Sequence, residues 1–190
     1  MMPKYTRIPA DTFKQLTINA GLVLKQFDTK TGTVAEEDIL FATSGGSTFT
    51  AKPSFTDYGD DIDNCPANMM ELKRIDSWDV ILKGTALTVT PATVASIAGA
   101  ADIDGTDKTK VVPRKDLKTS DFTDVWWVGD YGTDGFIAVH LDNALSTGGL
   151  SIKADDKKKG EFEFEYTAHT SMSAQDTVPF EVYVSAGTAA

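Results

Sequence analysis

Glu161-Phe162-Glu163-Phe164-Glu165-Tyr166 is the stretch from which the fold is read. Acid and aromatic alternate with a period of two, the period of a β-strand, which turns one face to water and the other to a core. Immediately upstream, Leu150, Ile152 and Ala154 alternate with Ser151, Lys153 and Asp155, and residues 156–160 are polar. These two runs predict an antiparallel hairpin whose tip carries the solvated lysines Lys157, Lys158 and Lys159.

Working outward, the same period recurs. Val178, Phe180, Val182 and Val184 alternate with Glu181 and Tyr183 in a last strand, with Pro179 at its start or on an edge because proline cannot donate to a ladder. Trp78, Val80 and Leu82 share a phase that shifts at Leu87 and Val89, which predicts a bulge at Gly84. Val125, Trp126, Trp127 and Val128 are apolar on both faces and pair with the alternating Ile137, Val139 and Leu141 through a turn over 129–135. Residues 39–41 and 48–51 flank Ser44-Gly45-Gly46-Ser47 and predict another hairpin. About eight strands emerge, so the expected fold is mainly β, a β-sandwich or barrel.

One short flanking α-helix is expected. Thr90 caps it, Pro91 suits its first position, Val94, Ile97 and Ala98 share a face, and Gly99 ends it. Residues 53–72 show neither strand period nor helical stripe and are expected to form a long functional loop. No repeat or linker divides the chain, so residues 1–190 are read as one domain.

Composition narrows the function. The 190 residues carry 18 Lys+Arg against 28 Asp+Glu, a net charge of −10, which opposes stable binding to nucleic acid because phosphate contacts are made mainly by Lys and Arg. Cys65 is the single cysteine, so no intrachain disulfide is available, and it is expected as a small buried apolar residue. Residues 1–25 mix Lys4, Arg7, Asp11 and Lys14 with short apolar pieces unlike a signal peptide, and no run is long enough to span a membrane. Synthesis in a cytoplasm, without membrane insertion by this chain, is the expectation.

Catalytic patterns are not evident, and no enzyme or cofactor is expected. There is no phosphate-binding glycine loop and no nucleophile elbow, and His140 and His169 sit in strand-like contexts without helical zinc spacing. Calcium is the metal weighed, for Asp57, Asp60, Asp61, Asp63 and Asn64, and for Asp102, Asp104 and Asp107. Neither group fits an EF-hand loop, and Asp and Asn are the ordinary residues of turns, so no metal site is assigned. Glu161 and Glu163 lie side by side on one strand face, not across a cleft as paired glycosidase carboxylates do.

Particular words of the sequence carry a resemblance. They are Thr43-Ser44-Gly45-Gly46, then Asp60-Asp61-Ile62-Asp63-Asn64-Cys65-Pro66-Ala67-Asn68, then Glu71-Leu72-Lys73-Arg74-Ile75 leading to Trp78, with Gly84-Thr85 beyond and Val178-Pro179-Phe180-Glu181-Val182-Tyr183-Val184 at the end. Their order, over about residues 16–184, resembles the major tail proteins of siphophages, particularly those of Gram-positive hosts.

The resemblance implies a subunit that forms hexameric rings stacked into a tail tube, through which phage DNA passes into the host. It implies residence in the virion tail after synthesis in the host cytoplasm. The implied partners are other copies of the chain, a tape measure protein, a tail terminator and a distal tail protein. A secreted or cell-surface β-sandwich binding module, calcium-loaded, is the alternative.

Three expectations follow from these readings. The loop over 53–72 docks between subunits, with Tyr58, Asp60, Asp61, Ile62, Asp63 and Asn64 at the contact. Trp78, Phe162, Phe164 and Phe180 belong to the core. An acidic wall, drawn from Glu161, Glu163 and Glu165 or from Glu181, faces the lumen so that DNA slides without adhering.

Overall fold

The computed structural model describes residues 8, 9 and 11–186; Lys4 and Arg7 lie outside them. Among the described residues, eleven strands and one α-helix follow one another. They are β1 (Thr17–Leu24), β2 (Ile39–Phe41), β3 (Thr43–Asp57), β4 (Lys73–Ala86), α1 (Pro91–Ala98), β5 (Ala101–Ile103), β6 (Val111–Pro113), β7 (Thr123–Tyr131), β8 (Gly135–Ser146), β9 (Ser151–Lys153), β10 (Glu161–Thr167) and β11 (Phe180–Ser185). The fold is mainly β with one short helix.

Nine strands form one antiparallel sheet in the order β2-β1-β7-β8-β10-β4-β3, with β11 on β8 and β9 on β10. The sheet bends over itself at two corners. At one, β8 pairs with β7 and β11 along most of its length and then joins β10 at Leu145 and Ser146, past Asn143 in a left-handed conformation (φ 46°). At the other, β2 runs through Ala42 directly into β3. A strand that switches sheets at a bend is the usual device for turning one sheet into two facing layers.

Between the layers lies the main core. Val23, Phe41, Val80, Leu82, Val125, Val139, Leu141, Phe164 and Tyr166 are buried there, and Trp78, Phe162 and Phe180 pack against it half-buried. α1 closes one end with Ile97. Its N-terminus is capped as expected, the Thr93 amide donating to Thr90 Oγ1 at 3.1 Å. At its C-terminus Gly99 has φ 77°, and a Cβ there would come within 2.7 Å of the Ser146 carbonyl oxygen. Ser96 and the buried Tyr166 hydroxyl share a hydrogen bond of 2.8 Å, and burial pushes the Tyr166 hydroxyl up to about 12.

A second, smaller core explains why residues 125–128 are apolar on both faces. Trp126, Val128, Ala138 and Leu24 point away from the main core and are covered by Phe27 and Ile39. Phe27 meets Trp126 at 5.9 Å and Phe136 edge-on at 5.1 Å.

Three local expectations are corrected. The Ser44-Gly45-Gly46-Ser47 word is not a hairpin turn but a bulge inside β3, set between the pairs Ser44↔Thr85 and Ser47↔Gly84. β2 therefore pairs with β1 rather than with β3. Likewise the bulge assigned to Gly84 lies on its partner strand. β4 keeps one phase through Trp78, Val80, Leu82, Gly84 and Ala86, and Leu87 lies beyond its end. Glycine is required at 84 because a Cβ would sit 2.9 Å from Phe164 Cζ and 3.1 Å from the Gly46 carbonyl oxygen. Thirdly, residues 53–57 are strand, so the irregular segment is shorter than 53–72 and crowns a long hairpin.

Candidate assembly surface

The β3–β4 hairpin is paired continuously from Ser47↔Gly84 to Asp57↔Lys73, with one irregularity between Ser54 and Phe55. β10 covers β4 only over residues 81–86. Beyond Ser54 and Ser77 the two strands are partnered by each other, and the arm ends in a tip over residues 58–72.

The tip is ordered by its own hydrogen bonds. Asp57 accepts from the Gly59 amide at 2.9 Å with one oxygen and from the Asn68 amide at 3.0 Å with the other. The Tyr58 amide donates to the Leu72 carbonyl at 3.0 Å, and Lys73 Nζ donates to Asn68 Oδ1 at 3.1 Å. Gly59 is buried beneath Cys65 and Leu72, and half-buried Cys65 directs its sulfur at Met69. A carboxylate bridging two amides is the ordinary way an Asx-type turn satisfies its backbone. Asp57 is thus occupied as a turn residue, and Asp104 and Asp107 act the same way on the amides of Thr106 and Thr109.

The arm exposes large apolar side chains. Tyr58 is 55% exposed, Ile62 53% and Met70 82%, and Phe55 and Ile75 stand out on its two strands. Lys73 and Arg74 lie over the rings of Phe55 and Tyr58 at 5.5 and 5.8 Å. Asp60, Asp61, Asp63 and Asn64 are exposed around Ile62. An apolar cluster rimmed by charge is what an interaction surface presents. Reading the sequence for loops missed Phe55, Met70 and Ile75, whose exposure depends on the arm outrunning β10.

The predicted wall residues fall on two separate surfaces. Glu161, Glu163 and Glu165 share the outer face of β10, opposite Phe162 and Phe164. Pairing places Lys83 beside Glu165, Lys153 beside Glu161 and Lys52 beside Asp79 on that same face. Lys153 reaches Glu161 at 3.9 Å. The face is a mixed polar surface, not a uniformly acidic one. Glu181 stands on the outer face of the other layer, next to Tyr183, whose hydroxyl it accepts, and that hydrogen bond raises the Tyr183 hydroxyl above its ordinary value.

The sheet ends in open edges. β11 pairs on one side with β8, and β3 terminates the strand order. Val182 and Val184, on the Phe180 side of β11, are about half exposed at 48% and 58%. Unpaired edges beside exposed apolar side chains favour pairing with another chain.

No protein-family model and no curated protein sequence matches this chain. Among the described residues, no helix is long and apolar enough to cross a membrane.

Proposed function

We propose that this chain is a structural subunit that assembles with copies of itself into the stacked rings of a phage tail tube. The carrying observation is the self-ordered β3–β4 arm, which holds Phe55, Tyr58, Ile62, Met70 and Ile75 outside the subunit's own core. An isolated monomer gains nothing from presenting them, whereas a neighbouring subunit buries them at about 25 cal/mol for each Å² of apolar area. The resemblance of the sequence words to those of siphophage major tail proteins supports the same reading.

In this scheme the open edges of β11 and β3 meet neighbours within a ring, and closure hides their unpaired backbone groups. The arm contacts the next ring. Stacking is head-to-tail and does not close, so a tape measure protein and a terminator set the length, and a distal tail protein ends the tube. DNA passes down the lumen without adhering. The mixed face of β10 and the Glu181 face are the two polar walls that can line it.

Electron microscopy of the purified protein, with sedimentation over a wide concentration range, tests the proposal. Rings or tubes are the expected outcome. A strict monomer at every concentration, above all one that binds calcium or a glycan, overturns it in favour of a surface binding module.

A further inference from the structure

The structure assigns a divalent transition-metal site to Asp124, His140 and Asp142, on the outer face of the β7–β8–β11 layer. The three residues come from two neighbouring strands, at the point where β8 leaves one layer for the other. One ligand atom from each lies within 4.8 Å of those of the other two. His140 Nε2 is 3.6 Å from Asp124 Oδ2, and Nδ1 is 3.5 Å from Asp142 Oδ1. These separations exceed an N–H···O hydrogen bond of about 2.7–3.2 Å. One imidazole gives an ion a single nitrogen, so only the Nε2–Asp124 separation is that of two donors on one ion, near the roughly 3–4 Å expected for bonds of about 2.1 Å; Asp142 enters through the oxygen that lies within 4.8 Å of the other two ligand atoms.

Three further observations point to a cation. First, His140 Nε2 is buried and has no hydrogen-bond partner, an expensive state for a ring nitrogen. Second, the ring is already fixed, stacked on Trp126 with centroids 4.1 Å apart and planes 13° apart. Asp124 is oriented too, its Oδ1 accepting from the Asn143 amide at 3.2 Å and leaving Oδ2 for the site. Third, the negative charge there has no lysine or arginine to offset it. Glu181 pairs in register with His140 from β11, and among the described residues no lysine or arginine forms an ion pair with Asp124, Asp142 or Glu181.

The donor set selects the ion. An imidazole with carboxylates and no thiolate suits Zn²⁺ and its first-row neighbours, while Mg²⁺ and Ca²⁺ prefer oxygen alone. His140 gives one nitrogen, Asp124 and Asp142 give one oxygen each, and water completes the shell. The site would clamp β7 to β8 beside β11, the strand held along a single edge.

The test uses the full-length, untagged, metal-free protein, with Zn²⁺ titrated calorimetrically and Co²⁺ followed by its visible absorption and by quenching of tryptophan fluorescence. One ion per chain is expected, with a Zn²⁺-dependent rise in Tm. His140→Gln and Asp142→Asn should each weaken binding at least about tenfold. Asp142→Asn also serves as the folding control, since it keeps the side chain's size and shape, so the metal-free Tm should stay near that of wild type while the Zn²⁺-dependent gain falls. Unchanged Zn²⁺ affinity in both variants, or no binding below millimolar Zn²⁺, overturns the assignment.

Discussion

Phe180 meets Trp78 nearly edge-on, ring centroids 5.4 Å apart and planes 61° apart, and this contact ties the last strand of one layer to the base of the arm in the other. Phe49 completes the cluster at 5.7 Å from Phe180. Phe180→Ala should therefore loosen β11 before the rest of the sheet. Its cost should fall below the roughly 3–5 kcal/mol of a fully buried Phe→Ala change, because Phe180 is half-buried. Amide exchange checks the locality: β11 should lose protection while β7 keeps it.

Phe164 is the opposite case, 2% exposed and packed on Phe41 at 4.8 Å. Phe164→Ala should cost about 3–5 kcal/mol and reduce soluble yield. Gly84→Ala should cost about 1–3 kcal/mol through the same ring, because the added Cβ forces it out of place. Urea unfolding measures both, and a neutral Gly84→Ala would show that the ring has room to shift.

The arm separates folding from assembly. Tyr58→Ser combined with Ile62→Ser removes apolar surface that the subunit leaves exposed, so stability should change by no more than about 0.5 kcal/mol. Assembly should fail. Thermal unfolding and microscopy on the same sample check the pair of outcomes, and normal tubes from this variant would remove the arm tip from the inter-ring contact.

Acid sensitivity should centre on Asp121, whose side chain is 8% exposed beside Arg114, Nη2 to Oδ1 at 2.5 Å. Burial opposes its ionisation, but the Lys118 amide and the Arg114 guanidinium outweigh burial and hold the carboxyl below its ordinary 3.8. A depressed folded-state pKa gives stability that is complete above 3.8 and is lost as pH falls through the lower, folded value. Wild type should thus lose stability more steeply below pH 3.8 than Asp121→Asn. Parallel curves of stability against pH would exclude this role. Arg114→Met, which takes the guanidinium from Asp121 while Asp102 keeps Lys118 Nζ at 2.7 Å, should cost about 1.5–3 kcal/mol at neutral pH.

Local chemistry made much of this protein legible from its sequence alone. The alternation of Glu161 to Tyr166 specified a half-buried strand, and the polar run after Asp155 specified its hairpin with β9, because strand period and turn composition act within a few residues. Thr90, Pro91 and Gly99 marked α1 for the same reason. Tertiary structure decided whatever depends on register between distant strands. Ser44-Gly45-Gly46-Ser47 has the composition of a turn, yet β4 runs straight past it, so the extra residues bulge instead of reversing the chain. Residues 53–57 lack a strand period because the arm outruns the core, leaving both faces without a buried side to impose alternation. Asp124 is separated from His140 in the chain and joins it only because β7 pairs Trp126 with His140, which sets the acid and the imidazole on one face. That pairing is set by burial on both sides of the layer, a condition that no single strand carries within itself.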